Sequence, residues 1–191
     1  NLTATTFLTQ KLQLLVFLDA ERNIVFGTSF NPVTKAFQPL PTDLHQHFKP
    51  GLPLLPDPNS DKSVRGIVVL AGAPLLIAAH PVIDSERKLP PRGWLVVGRV
   101  IDETLRSQLA QTSQLSLQLH PVAATDLPAD FQQATRKLSK QTPLLVTALT
   151  ETRIAGYALL TDLYGQPGVI LRTDAPREAY LQGKRTVQYF V

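Results

Sequence analysis

Apolar residues come in short bursts along this chain, and the spacing within each burst sets the element it predicts. Leu12 to Leu18 is mostly apolar and too short for a helix. Asp19 to Asn23 is a polar turn, and Ile24-Val25-Phe26-Gly27 resumes a strand pattern, so the two runs read as an antiparallel hairpin. Upstream, Ala4, Phe7 and Leu8 fall at helical spacing within residues 1–11, although Thr3, Thr5 and Thr6 weaken a helix there.

Between Asn31 and Pro58 proline dominates, at positions 32, 39, 41, 50, 53, 56 and 58. Each proline removes a backbone donor and restricts its neighbour, which disfavours long elements. The exception is a short helix over Thr42 to Phe48, with Thr42 as cap and Leu44 and Phe48 as an i,i+4 apolar pair. Leu52, Leu54 and Leu55 follow as apolar loop residues, expected to fold back over a core or to wall a pocket.

Three runs rich in Val, Ile and Leu come next, Gly66 to Leu70, Leu75 to Ile83 and Gly93 to Ile101. The connections at Ala71 to Pro74 and Asp84 to Pro91 are too short for a parallel crossover, so the pairing is antiparallel. Asp102 then caps a helix carrying Leu105 and Leu109, and Leu115 to Leu119 alternates as a half-buried strand. Asp126-Leu127-Pro128 starts a second helix to about Lys140, striped by Phe131, Ala134 and Leu138. Strands at Leu144 to Leu149, Ile154 to Leu160 and Val169 to Arg172 complete the pattern. The class is α+β, a central antiparallel sheet flanked by helices with a further strand-rich portion at the C-terminal end.

Composition narrows the chemistry. With 191 residues and 43% hydrophobic content, the chain can build a core without disulfides or metal. No run approaches 18 apolar residues, so no segment here is expected to span a membrane, and the ends at Asn1 and at Tyr189-Phe190-Val191 read as cuts in a longer protein. The absence of cysteine rules out disulfides, thiol nucleophiles and thiolate metal sites. The net charge of +4 is scattered. Arg136-Lys137 with Lys140, and Lys184-Arg185, read as solvated faces, and without interleaved aromatics no nucleic-acid partner is expected.

No metal site is expected either. His45 and His47 point apart on the short helix, while His80 and His120 sit beside prolines on separate strands. No nucleophile elbow, phosphate loop or zinc-protease motif occurs, so no catalytic residue and no cofactor is expected. The arginines carry more information. Period-two alternation puts Arg99 on one face with Leu95, Val97 and Ile101, opposite Trp94, Val96 and Gly98. A guanidinium there is either ion-paired or at a cavity edge, where it can hold an anion in a fork. His80 raises the same choice within its apolar run, and Trp94 and Tyr157 either pack in a core or wall a pocket.

Several segments stand in a telling order: Val16-Phe17-Leu18-Asp19 with Ile24-Val25-Phe26-Gly27, then Gly51-Leu52, then Leu76-Ile77-Ala78-Ala79-His80-Pro81-Val82 and Arg92-Gly93-Trp94-Leu95-Val96-Val97-Gly98-Arg99. Leu160-Thr161-Asp162-Leu163-Tyr164-Gly165-Gln166-Pro167 and Pro176-Arg177-Glu178-Ala179-Tyr180-Leu181-Gln182-Gly183 close the series. In this order they resemble the CHASE4 domain, an extracytoplasmic ligand-sensing module of bacterial and archaeal receptors. The chain departs from it at Glu21-Arg22-Asn23, where a glycine is common in the family.

The resemblance implies a PAS-like or Cache-like core over about residues 12–111 and an α/β extension over about 113–191, together a single sensor domain. It implies a periplasmic position in an inner-membrane protein, with membrane helices on both sides and a homodimeric receptor. It further implies a cytoplasmic output such as a histidine kinase, diguanylate cyclase or phosphodiesterase, with no catalysis in this part. The expected ligand is a small molecule, anionic if it meets Arg99. Its candidate contacts are His80, Trp94, Arg99 and Tyr157, with Arg65 and Arg177 further out and Leu52 and Leu54 on the flap. The rival readings are a domain that only dimerises or spaces its neighbours, and a small hydrolase.

Overall fold

A computed structural model describes residues 2–55, 62–70, 72–83, 91–113 and 115–177. Pro56, Pro58, residues 84–90, residues 178–183, Lys184-Arg185 and Tyr189 to Val191 lie outside the described residues. The chain forms two compact units, Asn1–Ile101 with Asp162–Gln166, and Asp102–Thr161 with Pro167–Val191.

The first unit is built on a six-stranded antiparallel sheet. Its strands are β1 (Leu14–Asp19), β2 (Ile24–Asn31), β3 (Ala36–Gln38), β4 (Val64–Leu70), β5 (Ala73–Pro81) and β6 (Gly93–Val100), in the order β3-β2-β1-β6-β5-β4. The hairpin expected around residues 19–23 is the β1–β2 pair, with Asp19 accepting from the backbone and side-chain amides of Asn23 at 2.8 and 3.0 Å. Alternation separates the two faces. Leu14, Val16 and Leu18 of β1 share the inner face with Val68, Leu70, Leu75, Ile77, Ala79, Trp94 and Val96. Leu44, Phe48, Leu54 and Leu55 close over them, so the proline-rich stretch is a packed layer rather than a loose flap. Each such leucine contributes about 1.5–3 kcal/mol on leaving water.

The outer face is covered at one end by helix α1 (Ala4–Gln10), whose Phe7 packs with Leu15 and Phe30. Threonine here helps rather than hinders. Thr3 and Thr6 form a reciprocal capping box, satisfying two donors at the helix start, and Lys11 ends the helix in the left-handed region at φ 54°. The helix expected from Thr42 is a single 3-10 turn, Leu44–Phe48, with Asp43 at its start and no side-chain cap. Pro39, Pro41 and Pro50 leave room for no more than that turn.

The second unit has helix α2 (Glu103–Ser113), strand β7 (Ser116–Pro121), helix α3 (Ala129–Lys137) and strands β8 (Leu144–Ala148), β9 (Arg153–Thr161) and β10 (Pro167–Pro176). Its antiparallel sheet runs β7-β10-β9-β8. The stripe read on α3 is its buried edge: Phe131, Ala134 and Leu138 pack on Ala155, Tyr157, Leu159 and Ile170. The cap read at Asp102 is present, its carboxylate accepting from the Leu105 amide at 2.8 Å.

The β9–β10 turn, Asp162–Gln166, belongs to the first unit. Asp162 orders it by accepting from the amides of Tyr164 and Gln166 at 2.9 and 2.7 Å. Leu163 donates its amide to the Ile67 carbonyl at 2.9 Å and lies where Gly66 has no side chain, since a Cβ there would come within 2.3 Å of Leu163 Cδ2. Tyr164 meets His47 through a hydrogen bond between its hydroxyl and Nδ1. Burial raises the tyrosine and lowers the histidine from their ordinary values, so both stay neutral near pH 7.

Candidate functional site

The sheet register decides which candidates can meet. Arg99 pairs with Leu76 and Arg65 with Ala78, two residues apart along β5 and on either side of it. Two strand spacings across the sheet, roughly 10 Å, and two residues along it, roughly 7 Å, separate the two backbone positions. Both side chains line an open groove of about 430 Å³ on the outer face, whose floor is Leu12, Leu76, Ala78 and Val97. That floor is almost wholly apolar, and Leu76 is 39% exposed in the middle of it. Arg65 is exposed and makes no ion pair among the described residues, and Arg99 is half-buried. One guanidinium therefore stands at each side of a hydrocarbon surface.

His80 is two residues beyond Ala78 on the same face of β5, exposed rather than embedded, with Nδ1 2.6 Å from the Ser63 hydroxyl. Trp94 faces the other way. It is fully buried in the inner core, with the Arg22 guanidinium 5.3 Å from its ring centroid, and its indole Nε1 has no hydrogen-bond partner among the described residues. Arg22 itself donates to the Lys49 carbonyl at 3.1 Å, so it ties the turn after β1 to the end of the 3-10 helix. Leu54 is fully buried in that same layer and Leu52 is half-buried at its edge. The structure thus groups Arg65 with Arg99 and groups Trp94 with Leu54. The sheet stands between the two pairs.

Tyr157 and Arg177 belong to the second unit. Arg177 donates its guanidinium to the Thr150 carbonyl at 3.5 Å and its amide to the Thr152 carbonyl at 2.9 Å. Tyr157 donates its hydroxyl to Asp130 Oδ2 at 2.7 Å, and Arg172 Nη1 reaches the same oxygen at 2.7 Å. Burial pushes the Tyr157 hydroxyl up to about 12, with the neighbouring carboxylate adding to the shift. For Asp130, burial would raise the carboxyl, but the two hydrogen bonds and the Arg172 charge outweigh it and the net direction is down. The Arg172 guanidinium also stands 5.8 Å from the Phe131 ring centroid.

Sequence reasoning had not singled out Asp130, Arg172, Arg22 or the His47–Tyr164 pair. Arg172 had a visible signal, a guanidinium after Val169, Ile170 and Leu171, of the same kind that drew attention to Arg99. Among the described residues no group of three or more His, Asp or Glu is placed to hold a metal ion, and no helix is long and apolar enough to cross a membrane.

Residues 1–120 match the family model of the CHASE4 domain. A curated relative, the methanogenesis regulatory histidine kinase FilI of Methanothrix harundinacea, is 28% identical over 188 residues, covering 98% of this chain and 20% of that protein. The periplasmic domain of Vibrio cholerae LuxQ aligns with a TM-score of 0.53 at 12% identity, over 91% of this chain and 76% of that one. A domain assigned to a sensory box/GGDEF family protein of Vibrio parahaemolyticus aligns with a TM-score of 0.52 at 16% identity, over 93% and 77%. At such identities these two likenesses concern the fold.

Proposed function

The chain belongs to the CHASE4 domain family of extracytoplasmic sensing modules, and from that premise we propose that it reads an anionic amphiphile in the groove between Arg65 and Arg99. It is a sensing domain of a membrane receptor and carries no catalysis of its own. Both units together form one sensing domain in this reading. The curated relative is a histidine kinase of which this chain matches only a fifth, so a kinase output and flanking membrane helices are part of the proposal.

The observation that carries the ligand class is the pairing of two guanidinium side chains with an apolar floor. A carboxylate can be held by either arginine in a charge-assisted hydrogen bond, and an alkyl body of several carbons covers Leu76 and Ala78. His80, exposed on the same face of β5 two residues beyond Ala78, would be a further polar contact only for a ligand that extends past the groove's lining. Trp94 and Leu54 hold the sheet's other face and do not contact the ligand.

Titration of octanoate into the purified domain by calorimetry tests this. Saturable binding is expected, with the double variant Arg65→Ala/Arg99→Ala weakening it roughly tenfold or more, as a charge-assisted hydrogen bond of about 1.5–3 kcal/mol requires, and each single variant weakening it less because the other arginine still receives the carboxylate. Undiminished binding in the double variant sinks the proposal. A second reading has its own support, because Leu76 exposes hydrocarbon on an open sheet face, as an interface between copies would. In that case Leu76→Glu lowers the mass seen in sedimentation, and octanoate gives no heat.

A further inference from the structure

A second hollow, of about 310 Å³, lies wholly within the second unit, between α3 and the β8–β9 edge of its sheet. Asp130, Gln133 and Lys137 present one helical face to it, since positions three, four and seven apart stack on the same side. Leu145 and Thr147, two apart on β8, line it from the sheet, with Tyr157 paired to Leu145 in the register.

The charges around this cleft do not cancel. The Asp130 carboxylate already receives the Tyr157 hydroxyl and the Arg172 guanidinium, so its charge is balanced. Among the described residues Lys137 has no hydrogen bond or ion pair, and neither the Gln133 side-chain amide nor the Thr147 hydroxyl has a partner. One cation and two neutral hydrogen-bonding groups therefore surround an apolar wall of Ala134, Leu145 and Leu149.

We infer that this cleft binds a short hydroxycarboxylate. Its carboxylate lies on Lys137, its hydroxyl meets Thr147, and its few carbons cover Leu145 and Ala134. The cleft differs from the Arg65–Arg99 groove in being smaller and in offering neutral polar groups beside the cation, so it selects a compact polar acid over a long alkyl one. The inference does not depend on the groove.

The probes are L-lactate and propionate, which lacks the hydroxyl, followed by methyl NMR on the intact chain. Lactate should shift the Leu145 and Thr147 methyl signals saturably. Lys137→Met should weaken it at least tenfold and Lys137→Glu should abolish it, with unchanged melting because the side chain is exposed. Thr147→Val should weaken lactate severalfold and leave propionate unaltered, and Arg65→Ala with Arg99→Ala should leave lactate binding intact. A lactate response that survives Lys137→Met, an equal loss of both acids in Thr147→Val, or no saturable shift at these methyls would each overturn the inference. Failure of octanoate to bind leaves this result untouched, so the two proposals fail separately.

Discussion

Tyr157 shows how one side chain serves both a core and a polar network. Its ring packs edge-on against Phe131, at 5.6 Å between centroids, while its hydroxyl reaches Asp130. Tyr157→Phe keeps the packing and removes a hydrogen bond to a charged group, so chemical denaturation should show a loss of about 2 kcal/mol. The pH dependence has two signs. The lowered Asp130 contributes stability above its unfolded value of about 3.9, and that contribution is lost as pH falls through its folded value. The raised Tyr157 contributes below about 10, the unfolded value, and its share is lost as pH climbs through about 12. Tyrosinate absorbance should therefore show one group titrating near that upper limit, absent in Tyr157→Phe. Much at this scale was legible. The alternation put Arg99 and Trp94 on opposite faces of one strand and the structure places them so, which separates two side chains that the sequence reading had offered as contacts of one ligand. The fate of Tyr157 was not legible, because Asp130 and Arg172, 27 positions before it and 15 after, are joined to it only by packing of a helix on a sheet.

Among the elements, the proline-rich layer departs most from its sequence appearance. Prolines announce irregular chain, and the backbone over residues 39–55 is mostly irregular, but Leu44, Phe48, Leu54 and Leu55 are as buried as any strand residue. Leu54→Ala should cost about 3 kcal/mol in denaturant melts, the range for a core leucine, and a loss below about 1 would mean that the layer lifts freely. Strand positions were readable to within two residues at most ends because period two is a local signal. The 3-10 turn was readable as a helix but not as this kind, since the choice depends on how far apart the flanking prolines are held. The groove between Arg65 and Arg99 was half legible: Arg99 stood out in its strand, while Arg65 joins it only through the pairing of β4, β5 and β6.

At the level of the whole molecule, each of the two units has a main hydrophobic cluster of its own. The first unit buries its core between one sheet face and the leucine-rich layer, and the second buries Phe131 and its neighbours under α3. Phe131→Ala should remove amide exchange protection across β7 to β10 while that of β1, β5 and β6 persists. Loss of protection in both sheets together would mean a single cooperative unit. The sequence announced an α+β chain and its family, since order and spacing of strands survive divergence. It did not announce that residues 162–166 belong with the first unit, because no local property of a turn reveals which sheet receives it.

That turn has a practical consequence for anyone trimming the protein. A fragment ending at Ile101, or at residue 120 where the family match stops, keeps all six strands of the first sheet but discards Leu163 and Tyr164. The notch above Gly66 would lie open, the Ile67 carbonyl would lose its donor and His47 its phenolic companion. The smallest portion that retains a complete first core therefore runs past Gln166, far beyond the last strand that a secondary-structure diagram would assign to it.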